Sequence, residues 1–70
     1  MQTQDIIGYQ VWDDNGNHAA GRTSLEILDL QTAQRDFRLE SRKGAGKFRV
    51  NPVYTGEIEN PLFISEASGA

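Results

Sequence analysis

Six of the chain's seven cationic side chains, Arg35, Arg38, Arg42, Lys43, Lys47 and Arg49, fall in one window between positions 35 and 49; Arg22 alone lies outside it. Asp36 and Glu40 are the only acids in that window, which therefore carries a formal +4, while the other 55 residues set one cation against eight acids, a formal −7. The chemistry open to such a segregation is anion recognition, either of carboxylates on a protein or of nucleic-acid phosphates. Arg35, Arg38 and Arg42 are spaced i, i+3, i+7, so a helix through them puts all three on one face. Leu39 projects into the same sector. An apolar group among arginines suits a protein contact surface. The plainer reading is a solvated helix face whose arginines complement the helix dipole.

Trp12, Lys47 and Arg49 form a second set if their strands pair. A tryptophan beside Lys and Arg offers a ring for stacking on a base, a cation–π contact or an anchor for another protein. Its plainer role is packing under the His18–Arg22 loop or the C-terminal segment, since tryptophan is well buried on average.

Other motifs carry less. Lys43-Gly44-Ala45-Gly46-Lys47-Phe48 lacks the GxxxxGK[ST] spacing and follows a helix where a phosphate loop opens one, so it reads as a helix stop and turn. Asp13-Asp14-Asn15-Gly16-Asn17 has its glycine at the wrong offset for a calcium loop and no closing glutamate, and reads as a turn. His18 is the only histidine and there is no cysteine, so neither a transition-metal set nor a thiolate site is written in the chain. Ser24, Ser41 and Ser65 sit in no nucleophile motif, and no pair of acids is marked as an acid–base dyad. The expectation is a non-enzyme without cofactor or metal.

These residues need elements to position them. Asp5–Trp12 reads as a strand, with Ile7, Tyr9 and Val11 alternating with Gly8 and Gln10. After the Asn15-Gly16 turn, Thr23–Leu28 resumes alternation, with Leu25 and Ile27 on one face. A helix started at Ser24 scatters its apolar residues around the whole barrel. One capped by Asp29 collects Leu30, Ala33 and Phe37 into a stripe, with Gln34 and Ser41 at its edges, and stops at Gly44. Lys47–Tyr54 is the next strand, with Phe48, Val50 and Tyr54 on one face and Lys47, Arg49, Asn51 and Val53 on the other. Pro52 places it at an edge or bulge. Leu62–Ile64 is a short last strand or an irregular segment.

The fold class that follows is α+β: a small β-β-α-β(β) domain, a three- or four-stranded antiparallel sheet with one helix packed on one face. That helix is expected to sit on Ile7, Tyr9, Val11, Leu25, Ile27, Phe48 and Val50. If Phe37 is central, Phe37→Ala costs roughly 3–5 kcal/mol. Gln10, Trp12 and Glu26 project from the opposite face, which one helix leaves open. Residues 1–65 form one domain and 66–70 a frayed tail.

At 70 residues the core is thin, and a homodimer is an easy way to bury more. No signal core or membrane-length stretch is present, so no membrane partner is expected, and the lack of cysteine fits a cytoplasmic protein. The net charge of −3 argues against a generic polyanion binder.

The leading expectation is a non-catalytic protein-binding module, an adaptor or inhibitor of a kind common in phages and mobile elements. Its contact residues are Arg35, Arg38, Leu39 and Arg42 on one side, and Trp12, Lys47 and Arg49 on the other. The alternatives are a nucleic-acid binder using the cationic window with Trp12, and a subunit of a homo-oligomeric assembly.

Overall fold

A computed structural model describes residues 5–44 and 47–66. Its elements are β1 (Ile6–Trp12), a 3-10 turn (Ala19–Gly21), β2 (Glu26–Leu28), α1 (Leu30–Lys43), β3 (Arg49–Tyr54) and β4 (Leu62–Ile64). The four strands make one sheet in the order β3-β1-β2-β4. The class is α+β, with α1 packed on the sheet. Among the described residues no helix is long and apolar enough to cross a membrane.

The bounds of α1 follow from its caps. Asp29 stands in extended conformation, and its carboxylate accepts the Thr32 N–H at 3.0 Å. This satisfies one of the first-turn donors that a helix cannot bond internally. At the other end Gly44 takes φ 66° and donates its N–H to the Glu40 and Ser41 carbonyls. Glycine, with no Cβ to clash, takes that left-handed stop at least cost. Arg42 and Lys43 in the last turn face the negative end of the dipole. The helix reading that included Ala45 and Gly46 as the turn falls there on residues outside those described.

Three strand pairs build the sheet. β1 is antiparallel to β3 and to β2, but β4 runs parallel to β2, with Leu62, Phe63 and Ile64 opposite Glu26, Ile27 and Leu28. The sheet is therefore mixed where an all-antiparallel one was expected. The cause is chain path: β3 ends level with Ile6 and β4 begins on the opposite edge level with Glu26, so residues 55–61 cross three inter-strand gaps, about 14 Å, while returning along the strands, and β4 then runs the same way as β2. Residues 55–61 do so on the face away from α1, where Glu57 and Ile58 stand beside Gln10, Trp12 and Val53. The outer face is accordingly covered, and Ile27, Gln10 and Val53 are buried on it.

The inner core is Val11, Ala19, Leu28 and Ala33, with Tyr9, Phe48, Val50 and Ile64 packed around it. Two expected core phases are corrected. In β2, Leu28 pairs with Tyr9 and faces the helix, so Ile27 faces outward, and Leu25 precedes the strand and is exposed. In α1 the buried residues are Thr32, Ala33, Asp36 and Glu40. Of the expected stripe only Ala33 is enclosed; Leu30 is exposed and Phe37 is 38% exposed. The cost reserved for a central phenylalanine does not apply to Phe37. Its partial burial corresponds to about 1–2 kcal/mol.

Candidate functional site

The buried side of α1 is polar because the chain brings it cations and donors from elsewhere. Asp36 is fully enclosed, and its Oδ2 accepts from Arg22 Nε at 2.9 Å. Arg22 then reaches Glu66 with both terminal nitrogens, at 3.2 and 2.8 Å. Arg35 joins the same carboxylate at 3.0 Å. One turn along the helix, Glu40 Oε2 accepts the Ala20 N–H at 3.0 Å and lies 3.6 Å from Lys43 Nζ. Ala20 takes the left-handed conformation, φ 56°, and Gly21 follows at φ 68°. This pair of left-handed residues turns the 3-10 segment so that its N–H meets Glu40. The network ties together the 3-10 turn, the helix and the chain after β4.

Glu66, part of the tail by sequence, is held by two arginines; residues 67–70 lie outside those described. Two atoms of this network, Arg35 Nε and Asp36 Oδ1, are buried without a hydrogen-bond partner. Asp36 Oδ1 lies 3.8 Å from Arg35 NH2, near enough for charge attraction and too far for a hydrogen bond.

Hydrogen bonds from Arg22 and then Arg35 hold the Glu66 carboxyl at about 2, down from 4.5. The same bonds, from Glu66 and then Asp36, raise the Arg22 guanidinium, which stays charged throughout. A depressed carboxylate contributes stability that is complete above its unfolded pKa and lost as pH falls through the folded one. The contribution of Glu66 should thus fade between about pH 4.5 and pH 2. In thermal melts across that range, Glu66→Gln should show a shallower loss of midpoint than wild type. Equal slopes would mean the contacts to Arg22 and Arg35 do not persist in solution. Asp13 is also lowered, chiefly by the backbone N–H of Asn17, as it caps its own turn.

This network decides which cations remain available. Arg35, expected on the open helix face, is half-buried and ion-paired to Glu66, so it leaves the contact set. Arg49 lies opposite Trp12 on the outer face, as expected, but its guanidinium bonds Asp14 at 2.6 Å. Trp12 is half-buried, forms a bridge with His18, and lines a cleft of about 200 Å3 with Gln10, Pro52, Val53, Glu57 and Ile58. Gln10 on that cleft is occupied internally, donating to the Ser24 and Glu26 carbonyls at 2.9 and 3.1 Å.

Arg38, Leu39 and Arg42 are all exposed on α1; Arg38 and Arg42 point away from the sheet, while Leu39, seven residues after enclosed Thr32, stands at the border of the buried face. Among the described residues Arg38, Arg42 and Lys47 enter no ion pair. The sequence set of seven contact residues thus divides: Arg35 is ion-paired to Glu66; Arg38 and Arg42 share a free face with Leu39 exposed at its edge; Trp12 and Arg49 sit together with Arg49 neutralised; Lys47 is exposed near the start of β3. Reading residue by residue missed Arg22, Asp36, Glu40 and Glu66. A signal was present, since Arg22 is the one cation outside the window and Asp36 and Glu40, spaced i, i+4, are the only acids inside it.

Among the described residues no three His, Asp or Glu side chains gather as a metal site. Comparison with protein-family models, with curated proteins and with solved structures found no match.

Proposed function

We propose that this domain is a non-catalytic protein-binding module, an adaptor or small inhibitor, working through the outer face of α1. One observation carries the reading. Arg22, Arg35, Lys43 and Arg49 each meet a carboxylate of the chain itself, while Arg38 and Arg42 meet none among the described residues and have exposed Leu39 at one side. Two arginines free of internal duty beside an apolar group make a compact contact surface, and they select a partner with an acidic patch. A nucleic-acid groove is less well supported, because Arg49 and Trp12 lie on the other side of the sheet from Arg38 and Arg42.

The test is affinity capture from nuclease-treated extract of the source cells, comparing wild type with Arg38→Glu/Arg42→Glu. Both positions are exposed, and Arg42→Glu sets an anion against the negative end of the helix dipole, so the variant should still fold with a loss of about 1 kcal/mol. The expected outcome is a protein captured by wild type and lost by the folded variant. Equal capture by both would remove this face from the reading.

A further inference from the structure

The two edges of the sheet are treated differently. On β3, Pro52 has no N–H to present and Glu57 Oε1 accepts the Tyr54 N–H at 2.7 Å. These are the ways proteins close an edge against further pairing. On β4 the Leu62 N–H goes to the Leu25 carbonyl and the Ile64 carbonyl to the Asp29 N–H, both toward β2. Strand alternation therefore turns the Phe63 N–H and C=O outward. The side chains there are the most exposed apolar groups of the fold, Leu62 at 56% and Phe63 at 61%.

We infer that β4 pairs antiparallel with β4 of a second copy, about a two-fold axis at Phe63, giving an eight-stranded sheet across the dimer. Self-pairing is what this edge fits. In an antiparallel hydrogen-bonded pair, two opposed residues exchange both their N–H···O bonds, so one outward doublet meets its own copy completely. From Asn60 to Ser65 the segment carries no charge, so identical edges approach without like-charge repulsion, and nothing on it selects a charged strand of another protein. A two-fold interface also counts each exposed side chain twice, which matters in a domain whose buried hydrophobics are few and mostly small. On β3, Pro52 and the capped Tyr54 N–H interrupt the edge, which disfavours association beyond two copies. The contact is small beside standard interfaces of about 800 Å2 per partner, so the dimer is weak and concentration-dependent. This surface is separate from the outer face of α1.

Sedimentation of the full chain from about 10 µM to about 1 mM tests it, the range in which a weak self-association is read. Wild type should pass from monomer to dimer and no further. Phe63→Lys should raise the dissociation constant at least tenfold with its circular dichroism unchanged, and Arg38→Glu/Arg42→Glu should leave it as it is. Because the chain has no cysteine, Ser65→Cys can carry a spin label without touching Phe63. In the dimer the two Cα atoms at position 65 should stand about 14 Å apart, four strand steps along and one pair spacing across. A monomer at every concentration, a dimer indifferent to Phe63→Lys, or labels well beyond that separation would each overturn the pairing.

Discussion

Asp36→Ala should cost the domain about 3–5 kcal/mol, because it strips one partner from a buried ion pair and leaves the other charged. Asp36 is wholly enclosed, and the Arg22 side chain opposite it is 11% exposed. Arg22 would retain only Glu66, whose own side chain is 52% exposed. A domain of this size holds on the order of 4–10 kcal/mol in total, so the variant should be partly or wholly unfolded at room temperature. Urea unfolding followed by circular dichroism reads the effect directly. The loss belongs to the unmatched charge, so a double replacement by apolar residues, Arg22→Met with Asp36→Leu, should be less costly than either single loss. A midpoint for Asp36→Ala within experimental error of wild type would mean that the buried face of α1 is not this one.

Gly8→Ala should cost about 1–3 kcal/mol, at the upper end for an added methyl. Gly8 is buried on the outer face of β1, and a Cβ there would overlap Ile27 Cγ2 and stand 2.9 Å from the Leu28 carbonyl oxygen. The side chain can shift or be trimmed, but the carbonyl belongs to β2 and is tied into the sheet. Gly8→Ala combined with Ile27→Ala should therefore be less destabilised than the sum of the two, yet not restored to the Ile27→Ala level. Chemical denaturation of the four species closes the cycle. Strict additivity would show that Ile27 does not lie over Gly8.

These two positions also show where the sequence was readable and where it was not. The helix could be delimited from local chemistry alone, because Asp29 and Gly44 do their work within one turn. The alternation of Tyr9 and Val11 located β1 and its inner face for the same reason. The rotation of α1 could not be found that way. Hydrophobic periodicity turns Leu30 and Phe37 inward, but the face that is enclosed is Thr32, Ala33, Asp36 and Glu40. Its partners, Arg22, the Ala20 N–H and, through the arginines, Glu66, come from distant parts of the chain. A lone carboxylate in a helix reads as outward until its cation is located.

The phase of β2 failed through a weaker signal. Gly8 in mid-strand marks a close approach, and Ile27 is what approaches it. The parallel pairing of β4 depends on the crossing made by residues 55–61, which no local pattern encodes. For the contact residues the consequence is direct: Arg38, Leu39 and Arg42 keep the exposure read from the helix wheel, whereas Arg35 is withdrawn by Glu66, a residue 31 positions away.

Which face of α1 is free is the claim on which the rest depends, and thiol labelling at single introduced cysteines measures it. Thr32→Cys removes one γ atom at a position with no exposed surface, and Arg38→Cys lies opposite the centre of the buried face of the helix. Under native conditions the thiol at position 38 should react at the rate of a free peptide, and the thiol at position 32 at least about 100-fold slower, limited by opening of the structure. Rapid labelling at position 32 in a folded variant would contradict the rotation of α1, and with it the assignment of Arg38, Leu39 and Arg42 as the surface left for a partner.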